Sequence, residues 1–258
     1  MDVSLQSKIN DLISNGYQVE IGKYISMAWG NFKKAPGQYI GYLVVFFAIM
    51  IALSIVPMGT LLSPLFTIGF AIVANKIQRG EQVEFGRFFD GFKSNPGHLL
   101  LVGLIMGLLI VLAMIPGLVI GGVSMFGLIS DLDSGMAPDL SAMSIGLMTI
   151  AGLLAMIPVI YLGVAWSWAY YFVAFKGLDF WPAMEASRKI ITKEWFSFFG
   201  FSLVLGLITV AGILCFGVGL LVAIPVISIA SFIAFEQIIG LNDEHEIDLI
   251  DHLIDDEV

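Results

Sequence analysis

Four stretches of this chain carry no charged side chain: residues 38–75, 98–130, 142–175 and 195–235. A helix of ~20 such apolar residues crosses the hydrocarbon of a bilayer, because it satisfies all its backbone N–H and C=O groups internally. That requirement constrains the fold more than any motif does. Composition agrees with it. Of the 258 residues, 58% are hydrophobic and 13% charged, and the mean hydropathy is +0.93; an ordinary soluble domain is roughly a quarter charged.

Proline and glycine pairs divide these stretches. The reading is an all-α, polytopic integral membrane protein with six transmembrane helices in three hairpins: about 38–56 and 64–75, then 98–130 and 142–175, then 196–214 and 220–235. Residues 1–37 form cytoplasmic N-terminal and interfacial helices, 38–240 the six-span membrane domain, and 241–258 an acidic cytoplasmic tail. A basic amphipathic segment precedes each hairpin, beginning near Ile21, Glu81 and Asp179. The unit of basic segment, span, turn and span therefore recurs three times, with an insertion in the second copy.

The second basic segment reads "EFGRFFDGFKSNP", residues 84–96. Phe85, Phe88, Phe89 and Phe92 form an aromatic stripe among Arg87, Asp90 and Lys93. Between two spans, such a segment is expected in the headgroup plane, rings sunk and cations reaching water. Trp29 and Trp181 hold equivalent places in the first and third segments. The membrane-interface residues expected from sequence are thus Phe85, Phe88, Phe89, Phe92, Arg87, Lys93, Trp29 and Trp181. The competing expectation for the stripe is packing against the protein's own spans.

Cytoplasmic segments next to spans are enriched in Lys and Arg. All twelve bases fall in residues 1–37, 76–97 and 176–195, four in each. The turns at 57–63 and 215–219 have no charge, and 131–141 has only Asp131, Asp133 and Asp139. Six spans then put every base on one side, with both termini cytoplasmic in a bacterial inner membrane. The N-terminus has no apolar signal core and is expected to stay on the mature protein. The formal net charge of −9 arises mainly from the tail, which holds eight acids and no Lys or Arg. No basic stripe suited to nucleic acid is present.

The stretch 98–130 would make roughly 50 Å of helix, more than the ~30 Å hydrocarbon needs. Either Pro116 and Pro158 break the helices, leaving 117–157 as an extra re-entrant hairpin, or both helices extend beyond the spans. Gly103/Gly107 and Gly117/Gly121 have close-packing spacing, read as packing within the chain or as a contact with a second copy or membrane partner.

Chemistry is sparse. No charge lies inside a span to mark an ion path; Glu236, at the end of the last, is expected to face water or headgroups. No HExxH, GxSxG, P-loop or CxxC pattern occurs. His98 reads as interfacial, and His245 and His252 as part of a solvated tail whose spacing fits no calcium loop. The single cysteine, Cys215, permits no intrachain disulfide. Trp166, Trp168, Tyr170 and Tyr171 read as an aromatic belt. No cofactor, metal or catalytic residue is expected.

The stretch "IPVIYLGVAWSWAYYFVAFKGLDFWPAMEASRKI", residues 157–190, carries a Pro-x-Ile-Tyr-Leu span followed by an Ala-x-x-x-Ser basic segment. It resembles a broad set of poorly characterised bacterial polytopic membrane proteins, including the membrane domain fused to some glycerophosphoryl diester phosphodiesterases. The matching positions are Pro158, Ile160, Tyr161, Leu162, Ala183 or Ala186, and Ser187. The resemblance implies a six-span inner-membrane protein and carries over no catalytic residue; the apolar insertion at 117–157 departs from it. The expected function is a non-enzymatic membrane scaffold or assembly partner, working with the lipid bilayer and a second copy or another membrane protein. The alternative is a channel, facilitator or transporter of lipid or small molecules.

Overall fold

A computed structural model describes residues 3–53, 62–134 and 142–241. The expected turn at 57–63 and acidic loop at 131–141 fall largely outside them, and the acidic tail does so but for Leu241. The architecture is all-α, with no strand among the described residues. Ten α-helices follow in order: α1 (Val3–Asn15), α2 (Ile21–Lys34), α3 (Pro36–Leu53), α4 (Ser63–Gln78), α5 (Pro96–Asp133), α6 (Ala142–Ala165), α7 (Ala169–Lys176), α8 (Phe180–Lys193), α9 (Trp195–Leu214) and α10 (Leu220–Ile239). A 3-10 helix, Phe85–Phe92, lies between α4 and α5. Proline opens α3 and α5, where its missing N–H costs nothing. Gly177 and Gly240 end α7 and α10 in left-handed conformations, φ 62° and 71°, which glycine adopts without Cβ strain.

Five helical stretches among the described residues are long and apolar enough to cross a membrane: Pro36–Leu53, Pro96–Asp131, Thr149–Lys176, Trp195–Leu214 and Leu220–Ile239. α4 is not among them. It has 16 residues, ten of them buried, so it is wrapped by protein.

Registers between helices fix their directions. α5 runs antiparallel to the α6–α7 rod: Gly117 abuts Ala151 and Ala155, and Gly103 lies beside Tyr170 and Pro64. α10 runs antiparallel to α7. Trp168 meets Phe235 (5.6 Å between centroids) and Phe175 meets Phe232 (5.1 Å), while the Tyr171 hydroxyl donates to the Ser228 carbonyl at 3.5 Å. α10 therefore starts beyond the C-terminal end of α7, away from the α5–α6 turn. The two hairpins, α5–α6 and α9–α10, point to opposite ends of the bundle. Sequence charge alone groups the 215–219 turn with 131–141; ring packing between α7 and α10 sets that turn and the described end of α5, Asp133, at opposite ends of the bundle.

α2 packs mainly on α10 and touches α9 in parallel order, Ile21 by Gly200, Tyr24 by Phe201, and Ile25 and Trp29 near Ile208 and Ala211. Its Asn31 donates to the Ala74 carbonyl at 2.9 Å. The C-terminal end of α4 thus lies toward the α9–α10 turn, and its start, at Pro64, lies beside Gly103 of α5.

The long middle helices do not break. α5 continues through Pro116 and α6 through Pro158. Proline removes one helical hydrogen bond, and beside Pro116 the missing Cβ of Gly117 lets α6 approach at Ala151 and Ala155. At 38 residues α5 is ~57 Å long. Its first two turns bury Leu99 and Val102; beyond these no described α5 side chain is buried. The fold is thus a packed body with a projecting apolar arm, α5–α6.

The body is held by close backbone approach as well as by rings. At Gly69 an added Cβ would strike the Phe88 carbonyl oxygen and the Tyr42 hydroxyl, whereas Gly107 faces open space. Gly69→Ala should lower stability by about 1–3 kcal/mol, the usual cost of overpacking, and Gly107→Ala should not. Thermal unfolding midpoints of the two variants in one lipid or detergent system measure the contrast.

Candidate membrane interface

The three basic segments are helical, and each turns apolar residues onto the protein's own helices. α2 buries Tyr24, Ala28, Asn31 and Phe32. α8 buries Ala183, Met184, Ala186, Ser187, Ile190 and Ile191. The segment at 85–92 is a 3-10 helix rather than an α-helix, laid antiparallel along α4. Gly91 sits on the Leu65 carbonyl, and Phe92 meets Phe66 edge-on at 5.0 Å.

The expected interface residues separate accordingly. Phe88 is fully buried, stacked on Tyr42 at 4.4 Å and edge-on to Tyr39 at 5.4 Å. Phe89 and Phe92 are half-buried against Tyr42 and Phe66. Phe85, Trp29 and Trp181 remain outside, 40%, 46% and 57% exposed, as do Arg87 and Lys93. Both cations pair with Asp90, Lys93 at 3.0 Å and Arg87 at 3.5 Å. The Lys93 hydrogen bond is the main cause holding the Asp90 carboxyl below the ordinary carboxylate range. A pair this exposed contributes ≲1 kcal/mol; its effect is to orient the segment, with Phe88 inward and the cations outward.

Trp166, Trp168 and Tyr171, read from sequence as part of an interfacial belt, are interior; rings of α9 and α10 pack on Trp168, and rings of α10 on Tyr171. Trp168 meets Phe198 at 4.8 Å as well as Phe235. Glu236 is also interior, 7% exposed, with Gln237 donating to its carboxylate at 3.3 Å. His98 accepts from the Phe180 N–H at 3.3 Å and places its other nitrogen 3.2 Å from Asp179, which ties the start of α5 to the start of α8.

One residue of each motif, Tyr161 and Ser187, lies where α8 folds over the end of α6. Tyr161 packs its ring on Trp195 at 5.0 Å and lies 3.4 Å from the Thr192 hydroxyl. Ser187, fully buried, donates to the Ala165 carbonyl at 2.8 Å and accepts from the Trp168 N–H at 3.2 Å. It completes the backbone hydrogen bonding where the rod changes from α6 to α7. Spacing alone does not reveal this role, since it depends on α8 folding back over the joint.

An apolar groove of about 380 Å³ opens between α9 and α10 beside α2, lined by Ile25, Trp29, Ala211, Gly212, Cys215 and Gly219 among others. Among the described residues, no group of three or more His, Cys, Asp or Glu side chains is placed to hold a metal ion. Comparison of the chain with protein families, with characterised proteins and with solved structures finds no match.

Ser187→Ala would leave the Ala165 carbonyl and the Trp168 N–H without this partner inside the body. The expected loss is about 1–3 kcal/mol. A denaturant unfolding midpoint, compared with that of the exposed variant Ser134→Ala, measures it.

Proposed function

We propose that this protein is an integral membrane scaffold that assembles with other membrane helices, a second copy or another protein, through the α5–α6 arm. The observation that carries this reading is the contrast between body and arm. The arm's outer helices pack on each other and leave Leu118 (60% exposed), Phe126 (73%) and Ile157 (65%) uncovered. Apolar surface on this scale is unfavourable in water, and it suits both lipid and a partner helix.

Charge supports an orientation. All twelve bases lie outside residues 98–175, on the body's segments, while the arm's far end carries Asp131 and Asp133. By the positive-inside rule, the arm crosses the bilayer from a body seated in the cytoplasmic leaflet, with both termini cytoplasmic in a bacterial inner membrane. The rival arrangement is six spans in three hairpins, resembling the membrane domain of the diesterase-linked proteins. It requires the 16-residue α4 to cross, and the turns of α5–α6 and α9–α10 to share one side. A second functional reading, movement of lipid or small molecules, is favoured by the apolar groove beside α9.

The chain's single cysteine, exposed at the α9–α10 turn, discriminates the two arrangements. On intact cells, a membrane-impermeant maleimide should label Ser134→Cys in a Cys215→Ser background. It should label native Cys215 only after permeabilisation. Outside labelling of both would restore the six-span arrangement, and protection of residue 134 would reverse the orientation.

For the scaffold itself, particles extracted with native lipid should have a protein mass above the single-chain 28.0 kDa. Leu118→Ala combined with Phe126→Ala should return them to one chain. A lone chain in the unaltered protein would sink the reading.

A further inference from the structure

The groove beside α2 points to a lipid site. Its walls are α9 and α10, held together at their turn, where Gly212 and Gly219 bring the two backbones into contact. α2 closes its floor with Ile25 and Trp29. Small residues at Ala211, Gly212, Gly219 and Ala223 leave the space, and no lining residue is charged. Its about 380 Å³ falls in the range of small-molecule sites, ~300–1,000 Å³. The rim is continuous with the exposed apolar flank of α9, where Leu207, Val210, Ile213 and Leu214 are 50–76% exposed.

Helical spacing sets one charged group beyond the groove's lining. Lys33 follows Trp29 by four residues, as Trp29 follows Ile25, so the three share a face of α2. α2 runs in the direction of α9, which places Lys33 toward the α9–α10 turn. Lys33 is exposed and has no ion-pair partner among the described residues. A cation at the end of an acyl-sized apolar slot complements an anionic headgroup on its chain.

We infer that the groove holds one acyl chain of an anionic bilayer phospholipid, with its phosphate at Lys33. The inference rests on the membrane reading and adds to it a defined lipid partner. It does not depend on the scaffold role, and it requires the α9 flank of the body to lie in the inner leaflet.

Trp29 is the reporter. The protein is placed in phosphatidylcholine nanodiscs containing either chain-brominated phosphatidylglycerol or chain-brominated phosphatidylcholine at equal mole fraction. The Trp29 signal is the difference between the unaltered protein and Trp29→Phe. The expected result is a preference of about fivefold for the anionic lipid in quenching Trp29, the size one lysine near an anionic headgroup supplies. Lys33→Gln, at an exposed position, should abolish the preference, and Lys33→Arg should keep it. Ala211→Phe fills the slot from an exposed position and should reduce quenching by both lipids. Equal quenching by the two headgroups would mean ordinary bilayer contact and overturn the site. Failure of the protein to float with phospholipid vesicles would instead overturn the membrane reading beneath it.

Discussion

The contact between α7 and α10 is the interaction on which the arrangement of this protein turns. Trp168, Tyr171, Phe172 and Phe175 interlock with Phe232 and Phe235 over two turns of the α7 segment and one turn of α10. Aromatic pairs contribute ~0.5–1.5 kcal/mol beyond their area, and several in one seam outweigh any single surface charge. The seam aligns α10 antiparallel to α7, and with it the α9–α10 turn. The α6–α7 rod is continuous with the arm, so the same seam sets the arm and that turn at opposite ends.

A second constraint acts through glycine. Gly69 and Gly91 let the 3-10 helix lie against α4 with backbone in contact, and Phe88 then enters between Tyr39, Tyr42 and Phe70. α4, apolar enough to look like a span, is thereby covered on most sides. The residues that make the segment amphipathic are the ones that seal the body, and the charges left outside are Arg87, Asp90 and Lys93.

Legibility from sequence followed the range of the forces involved. Helical spacing and charge-free runs are local signals; they located the long apolar helices and the basic segments, and Phe85, Arg87, Lys93, Trp29 and Trp181 lie at the surface. The inward turn of Phe88, the interior place of Trp168, Tyr171 and Glu236, and the role of Ser187 depend on neighbours far along the chain. Asn31 illustrates the limit. It is buried, bonded to the Ala74 carbonyl and to the Tyr39 hydroxyl at 2.7 Å. No local pattern distinguishes it from the exposed Asn10.

By itself the sequence determined the class of this protein: apolar helices too long and too free of charge for water, with all the bases gathered away from the arm's far end. That follows from the cost of leaving backbone polar groups or charges in hydrocarbon, which every residue feels independently of the fold. Only the tertiary structure decided which apolar helices are wrapped by protein and which are bare, which way each hairpin points, and where a groove remains between α9 and α10. Those outcomes depend on the shapes of rings and the absence of Cβ atoms at particular contacts, and such shapes have meaning only once distant segments meet.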